Sequence, residues 1–199
     1  MRHYDFAIVG GVPAGSSAAR YLAKTGGSVV VFEREKMPRR KLCGGALSKQ
    51  AISYLDFSLP SSIINQQVFG AKVHFRNNAI SEKLNEPIAV LVTRAKFDQF
   101  LLLKALESGS QVLWQEVRSI KYDNRKVEIS TSAGTFTADC ALICEGANRK
   151  LSRIVREKDT PQQQGFCIEA EVKIKKDDSY SNLKGMIDLY FGLAGQGYG

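Results

Sequence analysis

The sequence lacks any apolar run near the length of about 18 residues that a membrane-spanning helix needs. It contains no internal repeat and no low-complexity stretch. The small-residue stretch 6–19 could be mistaken for a signal-peptide core, but Asp5 precedes it and Pro13 and three glycines interrupt it. With 44% hydrophobic and 24% charged residues over 199 positions, the composition is that of a soluble globular protein of one or two domains.

Metal-binding patterns are missing as well. The four cysteines form no Cys-x-x-Cys pair, and there are only two histidines, so no metal site is predicted. This usage indicates reduced thiols in a cytoplasmic protein. Cys140 and Cys144 lie four residues apart in a predicted strand, and we expect both in the core.

The charge is unbalanced but not clustered. A net charge of +8 favours anionic partners, namely phosphates, acidic cofactors or an anionic membrane face. No Lys/Arg block is long enough for a nucleic-acid-binding tail, so no nucleic-acid partner is predicted. The basic stretch 34–41 also contains Glu35 and fits either a solvated loop or a phosphate-facing one.

The stretch 4–33 has the pattern strand, glycine turn, helix, strand. The apolar run 6–9 is followed by Gly10, Gly11 and Gly15, with Pro13 at the expected first helical position. Small residues, a Gly-Gly stop and the apolar run 29–32 follow, and Glu33 ends the unit. This is the layout of a dinucleotide-binding unit, in which a helix N-terminus faces a pyrophosphate and an acid binds the ribose. A purely structural turn is the alternative.

One position departs from the dinucleotide pattern, which has glycine at positions 10, 12 and 15. Position 12 is Val12. A valine adds two methyls near the pyrophosphate and disfavours positive φ, so we expect it to weaken nucleotide binding.

The rest of the chain alternates between short strands and helices. Ser48 is predicted to cap a helix over 49–55, and Thr93 a helix over 94–107. A basic helix is predicted over 149–156, and a strand over 167–175 paired with 186–191. The remaining predicted strands are 68–75, 88–92, 111–114, 118–122, 126–131, 135–137 and 141–144.

Four segments, in order, resemble the geranylgeranyl reductase family. They are the glycine turn, the run Pro-Arg-Arg-Lys-Leu-Cys-Gly-Gly-Ala-Leu-Ser at 38–48, Thr-Arg-Ala-Lys-Phe-Asp at 93–98, and Cys-Glu-Gly-Ala-Asn at 144–148. That family is FAD-dependent, shares the fold of the aromatic hydroxylases and saturates isolated double bonds of polyprenyl chains. The run at 38–48 is the most particular to these reductases.

The resemblance implies roles for individual residues. Glu33 would contact the adenosine ribose of FAD, Arg34 would be a further cofactor contact, and Val117 would present its backbone to the adenine. Cys43 would face the substrate cavity beside the flavin as the catalytic residue, or serve only as a tightly packing residue. The further implied cofactor contacts are Gly10, Gly11, Val12, Pro13, Ala14, Gly15, Gly44, Ala46, Arg94, Glu145 and Gly146. The family usually has Asp-Gly where Glu145-Gly146 stands.

The implied fold is α/β, with a Rossmann-like FAD-binding domain over 1–66 and 93–160. Its parallel sheet would carry helices and small antiparallel strands. A mixed-sheet substrate domain would begin over 67–92 and 161–199. The final Gly-Tyr-Gly resembles the start of the family motif Gly-Tyr-x-Trp-x-Phe-Pro, so the chain is expected to be an N-terminal fragment of a longer reductase.

Three functions follow. The first is FAD-dependent reduction of C=C bonds in a polyprenyl lipid, with NAD(P)H or another reductant as electron donor. The second is a flavin-dependent aromatic monooxygenase, and the third is a truncated, non-catalytic nucleotide-binding remnant. The expected partner is a polyprenyl lipid, with peripheral membrane association and no assigned oligomeric state.

Overall fold

The computed structural model describes residues 1–123, 125–148, 150–157, 165–173, 185–194 and 197–199. The chain divides into two compact units, Met1–Lys41 with Ala95–Cys167, and Leu42–Arg94 with Ile168–Gly199. Residues 42–66, which the sequence grouped with the cofactor domain, belong to the second unit. The functional assignment of the two units stays a prediction.

The helices among the described residues are α1 (Ala14–Lys24), α2 (Lys49–Ser53) and α3 (Arg94–Glu107). The strands are β1 (Arg2–Val9), β2 (Val29–Phe32), β3 (Ala46–Ser48), β4 (Ile64–Val68), β5 (Gly70–Phe75), β6 (Asn78–Lys83), β7 (Ala89–Val92), β8 (Gln111–Leu113), β9 (Val117–Asp123), β10 (Lys126–Thr131), β11 (Thr135–Ile143), β12 (Met186–Ala194) and β13 (Gly197–Tyr198). None of the helices in these described ranges has the length and apolar composition that crossing a bilayer requires.

The first unit is built on a six-stranded sheet in the order β8-β2-β1-β11-β10-β9. The first four strands run parallel, and β10 and β9 continue the sheet antiparallel. All four residues of β2 are buried, as expected for a parallel strand covered on both faces.

One face of this sheet is covered by helices. Ile8, Val29 and Val31 pack there against Ala19 of α1 and Leu102 of α3. The Arg20 guanidinium joins the two helices, because it donates to the Lys104 carbonyl at 3.0 Å and to the Ser108 hydroxyl at 2.7 Å. On the opposite face, residues of β1 and β2 pack against residues of β9 and β10 and against Leu151.

The second unit contains two further sheets. One has the strand order β13-β12-β5-β6 and the other β3-β7-β4. The Ser48 hydroxyl accepts the N–H of Ala51 at 3.1 Å and so caps α2, as predicted.

Several strand predictions were wrong. The predicted strand 68–75 is two strands, because Phe69 bonds to Gly185 and Leu84 between them. The polar, exposed strand β6 was missed. The predicted strands 135–137 and 141–144 form the single strand β11. Residues 167–173 form no strand, 174–175 lie outside the described residues, and β12 pairs with β5 instead.

Two other predictions also differ from the structure. Within 149–156, the described residues form only a 3-10 turn, Ser152–Ile154, and Arg149 lies outside them. Cys140 is exposed rather than buried, because α1 and α3 pack over β1 and β2. Cys144 does pack against that helical layer, and burial raises the pKa of its thiol.

Candidate functional site

Three neighbouring parallel strands end at one edge of the six-stranded sheet, and each leads into a predicted cofactor contact. The glycine turn follows β1, Glu33 follows β2, and Glu145-Gly146 follows β11. β2 and β11 flank β1 on opposite sides, so the chain segments that leave these strands diverge at this edge of the sheet. Ligands of open α/β sheets bind at such a switch point, outside the carboxyl ends of the strands.

Two glycines allow the backbone of the turn to pack closely. Gly10 has φ +98°, and a Cβ there would lie 2.4 Å from the Cys144 carbonyl oxygen. A Cβ on Gly15 would lie 1.7 Å from the Gly10 carbonyl oxygen. Neither position tolerates a side chain, because both contacts are with backbone atoms. The turn therefore brings α1 against β1 and brings the end of β11 beside both.

The start of α1 suits an anion. Gly15 N–H donates to the Val12 carbonyl at 3.1 Å, and Ser17 N–H donates to the Pro13 carbonyl at 3.0 Å. Among the described residues, no acceptor faces the N–H groups of Val12 and Ala14. Unsatisfied N–H groups at a helix N-terminus bind phosphate groups well. The turn thus fits the pyrophosphate of a dinucleotide.

The structure shows the backbone conformation at Val12, the position where the dinucleotide pattern has glycine. Among the described non-glycine residues, only Arg76 and Arg125 have positive φ. Position 12 therefore adopts a backbone conformation that valine tolerates, and no positive-φ strain arises there. The half-buried valine side chain remains beside the N–H groups that would face a phosphate, so the steric part stays a prediction.

Glu33 closes the turn from the side of β2. The side chain is 5% exposed, and its carboxylate accepts the N–H of Gly11 at 2.8 Å and the N–H of Glu35 at 3.0 Å. Each oxygen keeps a further lone pair, so the carboxylate still fits a ribose hydroxyl donor. The structure adds a second role, because Glu33 holds the glycine turn in place.

Two residues near the turn were not singled out from the sequence. Ser16 is fully buried and its hydroxyl donates to the Gly11 carbonyl. Glu35 contacts Arg34, with the Arg34 Nε and Nη2 each 3.2 Å from Oε1. The exposed guanidinium of Arg34 is thus held by its neighbour. Ser16 is one of two serines in a helical stretch of small residues, and nothing in the sequence distinguishes it from Ser17.

The Glu145 side chain hydrogen-bonds to the backbone that follows it in the chain. Its carboxylate accepts the N–H of Leu151 at 3.0 Å and of Ser152 at 2.7 Å. Burial alone would raise the pKa of this carboxyl, but these bonds, with smaller ones from Lys150 N–H and the Ser152 hydroxyl, outweigh it and lower the pKa. Gly146, with φ +72°, is exposed beside it and has open space where a Cβ would stand. Glu145 therefore fixes the turn that presents Gly146.

Two other predicted contacts, Val117 and Arg94, lie on other elements. Val117 begins β9, is 8% exposed and pairs with Thr131 across a register shift. Arg94 begins α3, is half-buried and belongs to the second unit. Their roles toward a cofactor stay predictions.

Cys43, Gly44 and Ala46 belong to the second unit, just before and at the start of β3. All three are exposed, whereas Gly45 between them is buried. The Cys43 N–H donates to the Glu169 carboxylate at 2.6 Å, and the Gly45 N–H approaches the Cys43 Sγ at 3.5 Å. Sequence patterns gave no signal for Glu169.

The described residues contain no group of three or more His, Cys, Asp or Glu side chains that could hold a metal ion. A cavity of about 680 Å³ lies in the second unit near β4 and β6, and half of its lining residues carry amide side chains. None of the predicted site residues lines it.

The strand order and the glycine turn at its switch point are typical of a nucleotide-binding α/β fold. The chain belongs to the pyridine nucleotide-disulphide oxidoreductase family, whose model matches residues 4–180. The predicted fold class is confirmed, with a parallel sheet, helices and antiparallel strands. FAD is the cofactor of these proteins, as predicted.

The resemblance to geranylgeranyl reductases is also confirmed. The chain is 34% identical over 118 residues to the digeranylgeranylglycerophospholipid reductase of Thermoplasma acidophilum, covering 56% of this chain and 30% of the relative. It is 28% identical over 210 residues to the chloroplastic geranylgeranyl diphosphate reductase of Nicotiana tabacum, covering 96% and 44%.

A solved structure shares the fold. The crystal structure of a geranylgeranyl bacteriochlorophyll reductase-like protein from Thermoplasma acidophilum superposes with a TM-score of 0.76 at 24% identity. The match covers 97% of this chain and 51% of that one. The chain therefore spans about half the length, or less, of these relatives.

Proposed function

We propose that the protein is an FAD-dependent oxidoreductase that reduces C=C bonds of a polyprenyl lipid. The names of its relatives support a prenyl substrate. The observation that carries the proposal is an apolar sheet face in the same unit as the Cys43 loop.

This face belongs to the sheet β13-β12-β5-β6. Residues that share a register position point to the same side of a sheet, and alternate residues of one strand do as well. The residues on this side are mainly apolar, namely Ala71, Val73, Phe75, Ile80, Ile187, Leu189 and Phe191, while Asn78 and Glu82 are polar positions of β6 on the same side. Phe75 is 52% exposed and Ile80 is 74% exposed. A contiguous, partly exposed apolar face suits a hydrocarbon chain, which offers no hydrogen bonds.

The residues of the first unit would bind and orient the cofactor. The free N–H groups of Val12 and Ala14 would hold the pyrophosphate, and Glu33 the ribose. When bound and reduced, FAD supplies the hydride for one alkene carbon. The Cys43 thiol would donate the proton to the other carbon, and solvent would reprotonate it. NAD(P)H or another two-electron reductant would restore the reduced cofactor.

The same proposal places the protein in the cytoplasm, in contact with a membrane surface. Its net charge of +8 supports attraction to anionic lipid headgroups. A lipid substrate makes such contact useful, because the prenyl chain lies in the bilayer. The proposal includes no nucleic-acid partner.

The test uses the polypeptide that contains this chain, loaded with FAD, chemically reduced and kept anaerobic with a geranylgeranyl lipid. Mass spectrometry should show the gain of two hydrogens for each double bond saturated. Oxygen uptake coupled to NAD(P)H oxidation with an aromatic substrate, without prenyl reduction, would instead establish a monooxygenase. A visible spectrum without bound flavin at saturating FAD would indicate a non-catalytic remnant.

A further inference from the structure

Glu169 is set apart from the segment in which it lies. The described residues 165–173 are all exposed except Glu169, which is half-buried. Nearby Phe166 and Ile168 are 95% and 99% exposed. Among residues 168–173, which belong to the second unit, the acidic side chain of Glu169 is therefore the one that contacts the rest of that unit.

The contact is with the backbone of Cys43. The Glu169 carboxylate accepts the Cys43 N–H at 2.6 Å across 126 positions of sequence. A carboxylate acceptor makes this a charge-assisted hydrogen bond, which is shorter and stronger than a neutral one. The bond orients the residue that the proposed function places beside the reacting carbon.

The other side of the Cys43 loop is fixed by β7. The Val92 N–H donates to the Gly45 carbonyl at 2.9 Å. Gly45 has φ +71°, and a Cβ there would lie 2.0 Å from the Val92 carbonyl oxygen. The Gly45 N–H faces the Cys43 Sγ at 3.5 Å. The loop is thus held at Gly45 by the sheet and at Cys43 by Glu169.

We propose that Glu169 is the positioning residue for Cys43, holding its backbone and placing one negative charge beside its thiol. This rests on the proposed function, which assigns Cys43 to the reaction. The backbone nitrogen and the sulfur of a cysteine are three bonds apart, so the carboxylate lies within about 6 Å of the thiol. Glu169→Gln removes that charge and replaces the charge-assisted bond with a weaker neutral one, because the amide oxygen still accepts the Cys43 N–H.

The first experiment measures alkylation of Cys43 by neutral iodoacetamide and by anionic iodoacetate, with each cysteine quantified by peptide mass spectrometry. A carboxylate at this distance repels the anionic reagent more than the neutral one. Glu169→Gln should raise the iodoacetate-to-iodoacetamide rate ratio at Cys43 about two- to threefold at low salt, and less at high salt. A merely looser loop would raise both rates and leave their ratio unchanged.

Matched controls separate this effect from general changes. Exposed Cys140 is the internal reference, and Glu171→Gln removes an exposed carboxylate two residues away from Glu169. The ratio at Cys140 should stay the same in every variant. The ratio at Cys43 should stay the same in Glu171→Gln. Glu169→Asp keeps the charge and should stay nearer the original ratio. An equal Cys43 ratio in the original and Glu169→Gln proteins would overturn the proposal.

A turnover assay connects the positioning role to the reaction. In protein that reduces a prenyl lipid, Glu169→Gln should lower kcat several-fold while bound flavin stays the same. Unchanged kcat in that protein would overturn the positioning role. If the original protein shows no prenyl reduction, the proposed function fails, but the alkylation ratio still decides whether Glu169 lies against Cys43.

Discussion

Replacing Glu33 with glutamine tests the second role of this residue, as the group that holds the glycine turn. The carboxylate accepts two backbone N–H groups, one on each side. A glutamine side chain has only one acceptor oxygen, and its NH₂ group would face the other N–H. One of the two bonds must therefore be lost without any change in side-chain volume.

Burial decides which bond is lost and how much it costs. The bond to Gly11 is buried, whereas the bond to Glu35 is only partly buried. The amide oxygen of Glu33→Gln should therefore face Gly11, while the Glu35 N–H reaches water. The expected loss is about 1–2 kcal/mol in the free energy of unfolding, where the ranges for neutral hydrogen bonds and for bonds to charged groups meet. Glu33→Leu leaves both N–H groups unpaired and should cost about 2–5 kcal/mol.

The assay is thermal unfolding followed by circular dichroism. For a protein of this size, about 1 kcal/mol lowers Tm by roughly 2–4 °C. Glu33→Gln should therefore lower Tm by about 2–8 °C, and Glu33→Leu should lower it further. Glu35→Gln is the control, because its side chain is 47% exposed and should change stability by less than about 0.5 kcal/mol.

The test depends on the order of the three unfolding temperatures. If Glu33→Gln unfolds at the same temperature as the original protein, the two hydrogen bonds contribute nothing and Glu33 does not hold the turn. A Glu35→Gln loss equal to that of Glu33→Gln would also contradict the reasoning, because burial would then not decide the cost.

Two further predictions concern the same sheet edge. Val12→Gly should tighten FAD binding about 5-fold or more by removing the methyls beside the phosphate-facing N–H groups, and isothermal titration giving equal dissociation constants would contradict it. Glu145→Gln should cost stability at neutral pH, because the bonds to Leu151 and Ser152 favour the ionised carboxyl. Since the folded pKa is lowered, this stability is present above the ordinary carboxyl pKa and is lost as pH falls through the folded value. Denaturant titrations should therefore show a difference that shrinks in acid, with exposed Glu116→Gln unchanged throughout.

The local part of the fold could be predicted because its determinants lie close together in the sequence. The run 29–32 is the observed strand β2, and α1 begins directly after Pro13 and ends just before Gly26. Ser48 caps α2 through a bond that spans three residues. In each case one or two residues set the backbone conformation of their own neighbourhood.

The sequence also predicted that the cofactor site is a dinucleotide-binding turn. Gly10, Gly15 and Glu33 have the spacing of a dinucleotide turn, and the structure places them at one edge of the sheet. The sequence could not give the backbone conformation at Val12, where the residue type indicated only that valine disfavours positive φ. The φ of a turn residue depends on how the turn packs, and position 12 does not adopt the left-handed region.

The sequence by itself determined the nucleotide-binding unit, the α/β class and the family resemblance, because these depend on short patterns. Only the tertiary structure decided that β12 pairs with β5, that Cys140 is exposed, that Glu33 turns inward to Gly11, and that Glu169 holds Cys43. The last two contacts join residues 22 and 126 positions apart. A hydrogen bond between distant residues leaves no spacing pattern, since it exists only when folding brings the two groups together.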